Sequence, residues 1–244
     1  MDSISRRSFF RLAGGALATV PVLAPAQHQA RHAPTHAAAL FFRSDEMRWI
    51  EAATERLIPQ DENGPGAQAA GVPAYIDRQL AGAWGAGERL YRSGPWHEGQ
   101  PTQGYQLSFT PAELFRNALR GVREQVQARH QAAFETLSGA EQDAYLEALQ
   151  HSDDDLHGVP AHMFFESLLG LSIEGFFSDP VYGGNRDMAA WKMIGFPGAY
   201  ASFYELVDRH GIEYTRAPIS MGDNGAGVIH LHPVSTARSA RRGG

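Results

Sequence analysis

Two capping boxes constrain this chain more tightly than any other feature. Thr110-Pro111-Ala112-Glu113 joins an N-cap hydroxyl to a proline at the first helical position and a glutamate at the third. The first N–H groups of a helix thus find side-chain acceptors locally. Ser138-Gly139-Ala140-Glu141 repeats the pattern. Behind the first box, Phe115, Ala118, Leu119, Val122 and Val126 form an apolar helical stripe, and behind the second come Tyr145, Leu146 and Leu149. Upstream, Ser44-Asp45-Glu46 supplies a capping residue and first-turn acids ahead of Met47, Ile50, Thr54 and Leu57, a face that Pro59 ends. Val72-Pro73-Ala74-Tyr75-Ile76 opens a short helix running to about Leu80. Phe164, Phe165, Leu168, Leu169 and Ile173 mark a strongly apolar helix expected at the centre of the core. No alternation of period two occurs before Val228 to Val234. The fold class is therefore mostly α: a single irregular helical domain with long loops over residues 41–210, then an irregular C-terminal tail, 211–244.

The connections carry their own signals. Asp61-Glu62-Asn63-Gly64-Pro65-Gly66 reads as a turn, and the glycine-rich stretch from Gly82 to Gly104 as a long irregular loop of the kind that often forms a binding surface. Ser152-Asp153-Asp154-Asp155 has the acids for calcium but lacks the glycine and distal glutamate of an EF-hand loop, and reads as a solvated turn.

Composition narrows the function classes. The 244 residues are 43% hydrophobic, enough for a sizeable core, and include no cysteine. Disulfides, thiolate zinc sites, iron–sulfur clusters, covalently attached haem and cysteine nucleophiles are all excluded. The formal charge is −6 and Lys192 is the sole lysine, so nucleic acid is not an expected partner.

The N-terminus reads as an address. Ser5-Arg6-Arg7-Ser8-Phe9-Phe10-Arg11 precedes an uncharged stretch from Leu12 to Leu23 and then Ala24-Pro25-Ala26, a small-residue cleavage site. This looks like a twin-arginine export signal over residues 1–26. An ordinary first helix with a basic start is the alternative, but Gly14, Gly15 and Pro21 weaken it. A retained membrane anchor is second choice, because a span needs roughly 20 apolar residues. Cleavage after Ala26 removes Arg6, Arg7 and Arg11 with one acid, Asp2, and leaves a more acidic mature chain. The twin-arginine translocase carries folded cargo, so the location of a cofactor becomes the leading question. Residues 27–40 are polar, alanine-rich and aperiodic, and are expected to form a disordered tether. Its His28, His32 and His36 share a helical spacing, but Pro34 breaks that helix and they read as solvated.

The search for catalytic constellations mostly excludes. Gly82-Ala83-Trp84-Gly85-Ala86-Gly87 has the dinucleotide-loop glycines in reverse order and lies in no βαβ context. There is no Walker A loop, H-E-x-x-H or G-x-S-x-G, and His97-Glu98 lacks a second histidine at the zinc-protease spacing. His230 and His232 would point the same way on a strand and could chelate a metal, but no third ligand is in view. Glu166 and Glu174, about two helical turns apart, read as surface charge or a paired buried acid. No catalytic residue, cofactor or metal is assigned to this chain.

The segment from Glu174 to Gly198 stands apart. Pro180 pushes Asp179 to an extended conformation, Gly183-Gly184 opens backbone angles closed to other residues, and Asn185 can cap a helix that Asp187 favours. The expected shape is a tight turn presenting Tyr182, Trp191 and Phe196. It is either a buried aromatic corner or a recognition surface of aromatics and arginine.

The run DPVYGGNRDMAAWKMIGFPG, the earlier ATERLIPQDENGPGAQAAGVPAYID from Ala53 to Asp77, and YRSGPW from Tyr91 to Trp96, together with the twin-arginine leader, resemble the gluconate 2-dehydrogenase subunit 3 family over about Phe41 to Tyr200. The resemblance implies a small, cofactor-free partner of a glucose–methanol–choline-type flavoprotein, with a multihaem cytochrome c as a frequent third subunit. FAD and the oxidation of a sugar or sugar acid would belong to the large subunit, and any haem c to the cytochrome. The small subunit would carry the export signal for both itself and the flavoprotein, placing the complex in the periplasm at the inner membrane. The family has no catalytic residues to transfer. The expected partner interface comprises Pro180, Tyr182, Gly183, Gly184, Asn185, Arg186, Trp191 and Phe196. The histidine-bearing tether and the tail beyond about Ala201, ending Arg238-Ser239-Ala240-Arg241-Arg242, depart from the family pattern. Two rivals stand: a stand-alone periplasmic enzyme or binding protein using His230 and His232 or the region of Tyr91 to Trp96, and an assembly factor that leaves after export.

Overall fold

The computed structural model describes residues 39–97, 99–100, 103–199, 206, 208–211 and 217–222. The export signal, the histidines of the tether, Glu98, His230 and His232 lie outside the described residues. Among the described residues are six α-helices: α1 (Ser44–Leu57), α2 (Val72–Ala81), α3 (Pro111–His130), α4 (Gly139–Gln150), α5 (Ala161–Phe177) and α6 (Ala189–Ile194). They include no strand, only isolated bridges at Asp155–Pro160 and Gly198–Ile219. None of the described helices is long and apolar enough to cross a membrane.

Local chemistry starts each helix. On α3, Glu113 N–H donates to Thr110 Oγ1 at 3.2 Å while the Glu113 carboxylate accepts from Thr110 N–H at 2.8 Å. Ser138 and Glu141 make the same exchange ahead of α4. Both expected boxes are therefore present. On α1, Ser44 is the first helical residue and not the cap. Glu46 accepts the N–H of the cap residue Arg43 at 2.9 Å, the glutamate half of a capping box, and no described side chain takes the hydroxyl's half.

The apolar face of α1 also differs from its expected stripe. Trp49, Ile50, Ala53 and Thr54 are buried, whereas Met47 and Leu57 are half-buried flanks. The hydroxyl of Thr54 is satisfied by donating to Ile50 O at 2.8 Å. On α3 all five stripe residues are buried, as are Tyr145, Leu146 and Leu149 on α4.

Helix α5 is central because it is apolar on nearly every side, and it packs against each of the other five helices. Phe164 and Leu168 are fully buried, but Ile173 points outward and is 38% exposed. The aromatic rings tie the layers together. Trp49 of α1 lies 5.1 Å from Phe134 and 5.7 Å from Phe164 of α5, and Phe115 of α3 meets Phe164 edge-on at 5.4 Å. Such pairs add about 0.5–1.5 kcal/mol each beyond their area.

Two buried carboxylates hold the start of the described domain. Asp77 of α2 accepts from the N–H groups of Leu40, Phe41 and Phe42 at 2.7, 3.0 and 2.9 Å. Glu46, fully buried, pairs with Arg43 and Arg116, and Arg116 also donates to Phe41 O at 2.9 Å. Burial pushes the Glu46 carboxyl up, but the hydrogen bonds from both guanidinium groups outweigh it and leave the group below its ordinary value.

The acidic turn Ser152-Asp153-Asp154-Asp155 is engaged with its own neighbours. Asp153 pairs with His162 at 2.9 Å, Asp154 with Arg129 at 3.5 Å, and Asp155 accepts from Gly158 N–H at 2.6 Å.

Candidate functional site

After α5 the chain turns a corner built from backbone-specific residues. Asp179 is extended at φ −64 and ψ 135, as Pro180 requires, and a 3₁₀ turn, Pro180–Tyr182, follows. Gly183 has φ +102, where a side chain would be strained and would also meet the Arg78 guanidinium 2.7 Å away. Gly184 is buried with its Cα against Gly175 O, and any Cβ there would collide with that carbonyl. The glycine pair thus lets the corner press onto the end of α5.

Asn185 is fully buried at φ 42, a region that asparagine tolerates better than most residues. Its Nδ2 donates to Ser178 O at 2.9 Å, and its Oδ1 accepts from Ala190 N–H at 2.9 Å. It therefore caps the first turn of α6 from a distance and ties it to the end of α5. Of the two readings of the turn, Trp191 follows the buried aromatic corner, for it is only 6% exposed. Its indole N–H donates to Phe177 O at 2.8 Å and its ring meets Phe196 edge-on at 5.2 Å. Gly184, Asn185 and Trp191 therefore build the corner from inside, and Pro180 and Gly183 are half-buried in its turn.

What the corner does present is apolar. Val181 and Tyr182 are each 50% exposed, Phe196 45% and Ile194 57%. Arg186 is exposed, with one guanidinium N–H donated to Ala69 O at 3.3 Å. Beneath Tyr182, the phenol of Tyr75 donates to Glu174 at 3.4 Å; burial, and then that carboxylate, push the phenol up to about 12. Glu174 and Glu166 are both exposed on α5, so neither is a buried acid.

Sequence reading missed three parts of this surface. Met193 and Ile194 are exposed in the last turn of α6 although their i+3 and i+4 spacing puts them on the side of its buried Ala190 and Trp191, so helical phase alone gives no sign of their exposure. Arg78, one turn before the end of α2, carries no local mark of its place beneath Gly183. Residues 217–222 lie across the corner: Ala199 N–H donates to Ile219 O at 2.7 Å, and Ser220 and Met221 donate to Asp179.

Elsewhere, Tyr91 and Trp96 are exposed on the glycine-rich loop, with the Tyr91 hydroxyl donating to Gly94 O at 3.4 Å. A dimple of about 180 Å³ lies nearby between Trp84, Tyr105, Leu114, Leu171 and Glu174. Small-molecule sites usually span roughly 300–1,000 Å³. Among the described residues no three His, Asp or Glu side chains are grouped to hold a metal ion.

Fold and surface together define an all-α domain with a hydrogen-bonded corner at the end of its central helix that exposes apolar side chains. Residues 44–198 match the family described as Gluconate 2-dehydrogenase subunit 3, and the chain belongs to that family. The match begins at the first residue of α1 and takes in all six helices and the corner. Membership implies a partner within a gluconate dehydrogenase complex. No curated protein and no solved structure matches the chain.

Proposed function

We propose that this chain is the non-catalytic small subunit of a periplasmic, inner-membrane-associated dehydrogenase. Its partner is a glucose–methanol–choline-type flavoprotein that binds FAD and oxidises a sugar or sugar acid, with a multihaem cytochrome c as a possible third subunit. The observation that carries the reading is the family match over 44–198, joined to the leader at Ser5-Arg6-Arg7-Ser8-Phe9-Phe10. A flavoprotein takes up FAD in the cytoplasm while folding. If it lacks a signal of its own, it crosses the membrane only when bound to a partner that has one. The small subunit supplies that address and stabilises the flavoprotein during maturation.

The corner suits the docking half of this role. Its exposed apolar side chains stand on a backbone fixed by Asn185, Gly184 and the Trp191 N–H, so binding orders little that is not already ordered. The test is to isolate the tagged full chain from producing cells and measure flavin absorbance and acceptor-linked sugar oxidation, beside the same chain produced alone. Flavin and activity in the complex but not in the lone chain is the expected result. Turnover by the chain alone would overturn it in favour of a stand-alone enzyme.

A further inference from the structure

The segment 217–222 lies beyond the family match, which ends at residue 198, yet it is stitched into the corner that the match contains. Ile219 N–H donates to Pro197 O at 3.2 Å and Ile219 pairs with Gly198 as a parallel bridge. Ser220 Oγ and Met221 N–H donate to the two oxygens of Asp179 at 2.7 and 2.9 Å. Asp179 is itself buried and also accepts from Val181 N–H at 3.0 Å. One carboxylate therefore sets both the exposed Val181 and the strap that brings Met221, 52% exposed, beside it.

The cations of the described domain divide into paired and unpaired ones, and Arg89 and Arg92 on the glycine-rich loop and Arg120 on α3 are among the unpaired. Arg43, Arg48, Arg56, Arg116, Arg123 and Arg129 each pair with a carboxylate. At the corner, Arg78, Arg186 and Lys192 are exposed and pair with no carboxylate among the described residues. Exposed acids in the same segment are Glu174, which accepts from Tyr75, and Asp187, and the loop bearing Asp61 and Glu62 meets Met193 of α6 at Gly64. Unpaired cations around exposed apolar side chains, on a chain of net charge −6, fit a partner surface with an apolar centre and an acidic rim.

We propose that Val181, Tyr182, Phe196 and Met221, rimmed by Arg78, Arg186 and Lys192, form one composite docking surface for such a patch on the flavoprotein subunit, and that the strap 217–222 is part of it. This rests on the small-subunit reading and adds to it the face, its chemistry and a use for the tail. The corner lies inside the family match and the strap outside it, so the surface joins the two.

The test uses the tagged full chain isolated with its FAD-bearing partner, reading flavin retained per chain across a salt series. Arg78→Glu, Arg186→Glu and Lys192→Glu combined should weaken association roughly tenfold or more and flatten its salt dependence, while Arg120→Glu on α3 leaves both unchanged. Val181→Asp and Met221→Asp should each release flavin at salt concentrations the unaltered complex withstands. All five sites are exposed, so melting temperatures should stay within a few degrees and separate lost docking from lost folding. Unchanged flavin retention and salt response in the triple variant would overturn the docking surface while leaving the subunit role standing. Release by Val181→Asp but not by Met221→Asp would remove the strap from it. An unaltered chain that retains no flavoprotein would overturn both readings.

Discussion

The hydroxyl of Ser220 donates to the buried carboxylate of Asp179 at 2.7 Å, across 41 residues of chain. The same carboxylate accepts from Met221 N–H and Val181 N–H, so three donors converge on two oxygens. Asp179→Asn keeps the shape but turns one acceptor into a donor facing donors. The expected loss is about 1–3 kcal/mol. Hydrogen exchange at the Met221 and Val181 amides should quicken while the amides of α3 and α5 keep their protection. Unchanged exchange at Met221 would mean that Asp179 does not hold the strap.

Asn185 carries two buried hydrogen bonds and a left-handed backbone. Asn185→Ala loses both bonds, leaves Ser178 O and Ala190 N–H short of a partner, and places an ordinary residue at positive φ. Destabilisation of about 2–4 kcal/mol is expected in chemical denaturation. Asn185→Asp keeps the acceptor for Ala190 but sets a carboxylate against Ser178 O, and should cost at least as much. A loss within 0.5 kcal/mol for the alanine variant, roughly that of an ordinary surface change, would contradict the role given to Asn185.

Glu46 has a carboxyl held below its ordinary value of 4.5, because its bonds to Arg43 and Arg116 outweigh burial. A group with a depressed folded-state value contributes stability that is fully present above the unfolded value. That contribution is lost as pH falls through the folded one. Acid titration of stability should therefore show a decline setting in below about pH 4.5. Glu46→Gln should be less stable than the unaltered chain at neutral pH, with a difference that shrinks as the pH falls. A constant difference down to strongly acid pH would show that the ion pairs contribute nothing.

How much of this was legible follows sequence distance. The boxes at Thr110–Glu113 and Ser138–Glu141 close within three residues, so reading and structure agree there. Glu46 reads as a first-turn acid, and its burial against Arg116 is not legible locally because that partner lies 70 residues away. Which of the two readings Trp191 follows is not legible locally either, because its indole acceptor, Phe177 O, belongs to the preceding helix. Ile173 fits the apolar pattern of α5 yet faces outward, since a helix apolar on all sides does not announce which side is covered. The corner's tight turn was readable from Pro180 and Gly183. Its reinforcement by Ser220 and Met221 was not, because nothing in either residue's local pattern refers to Asp179.

The measurement that reaches the central claim most directly is the compartment of the flavoprotein when Arg6 and Arg7 of this chain are both changed to lysine. If the chain delivers its partner, acceptor-linked sugar dehydrogenase activity and flavin should leave the periplasmic and membrane fractions and accumulate in the cytoplasm, still bound to the altered chain. Activity that remains outside the cytoplasm at its normal level would contradict the account.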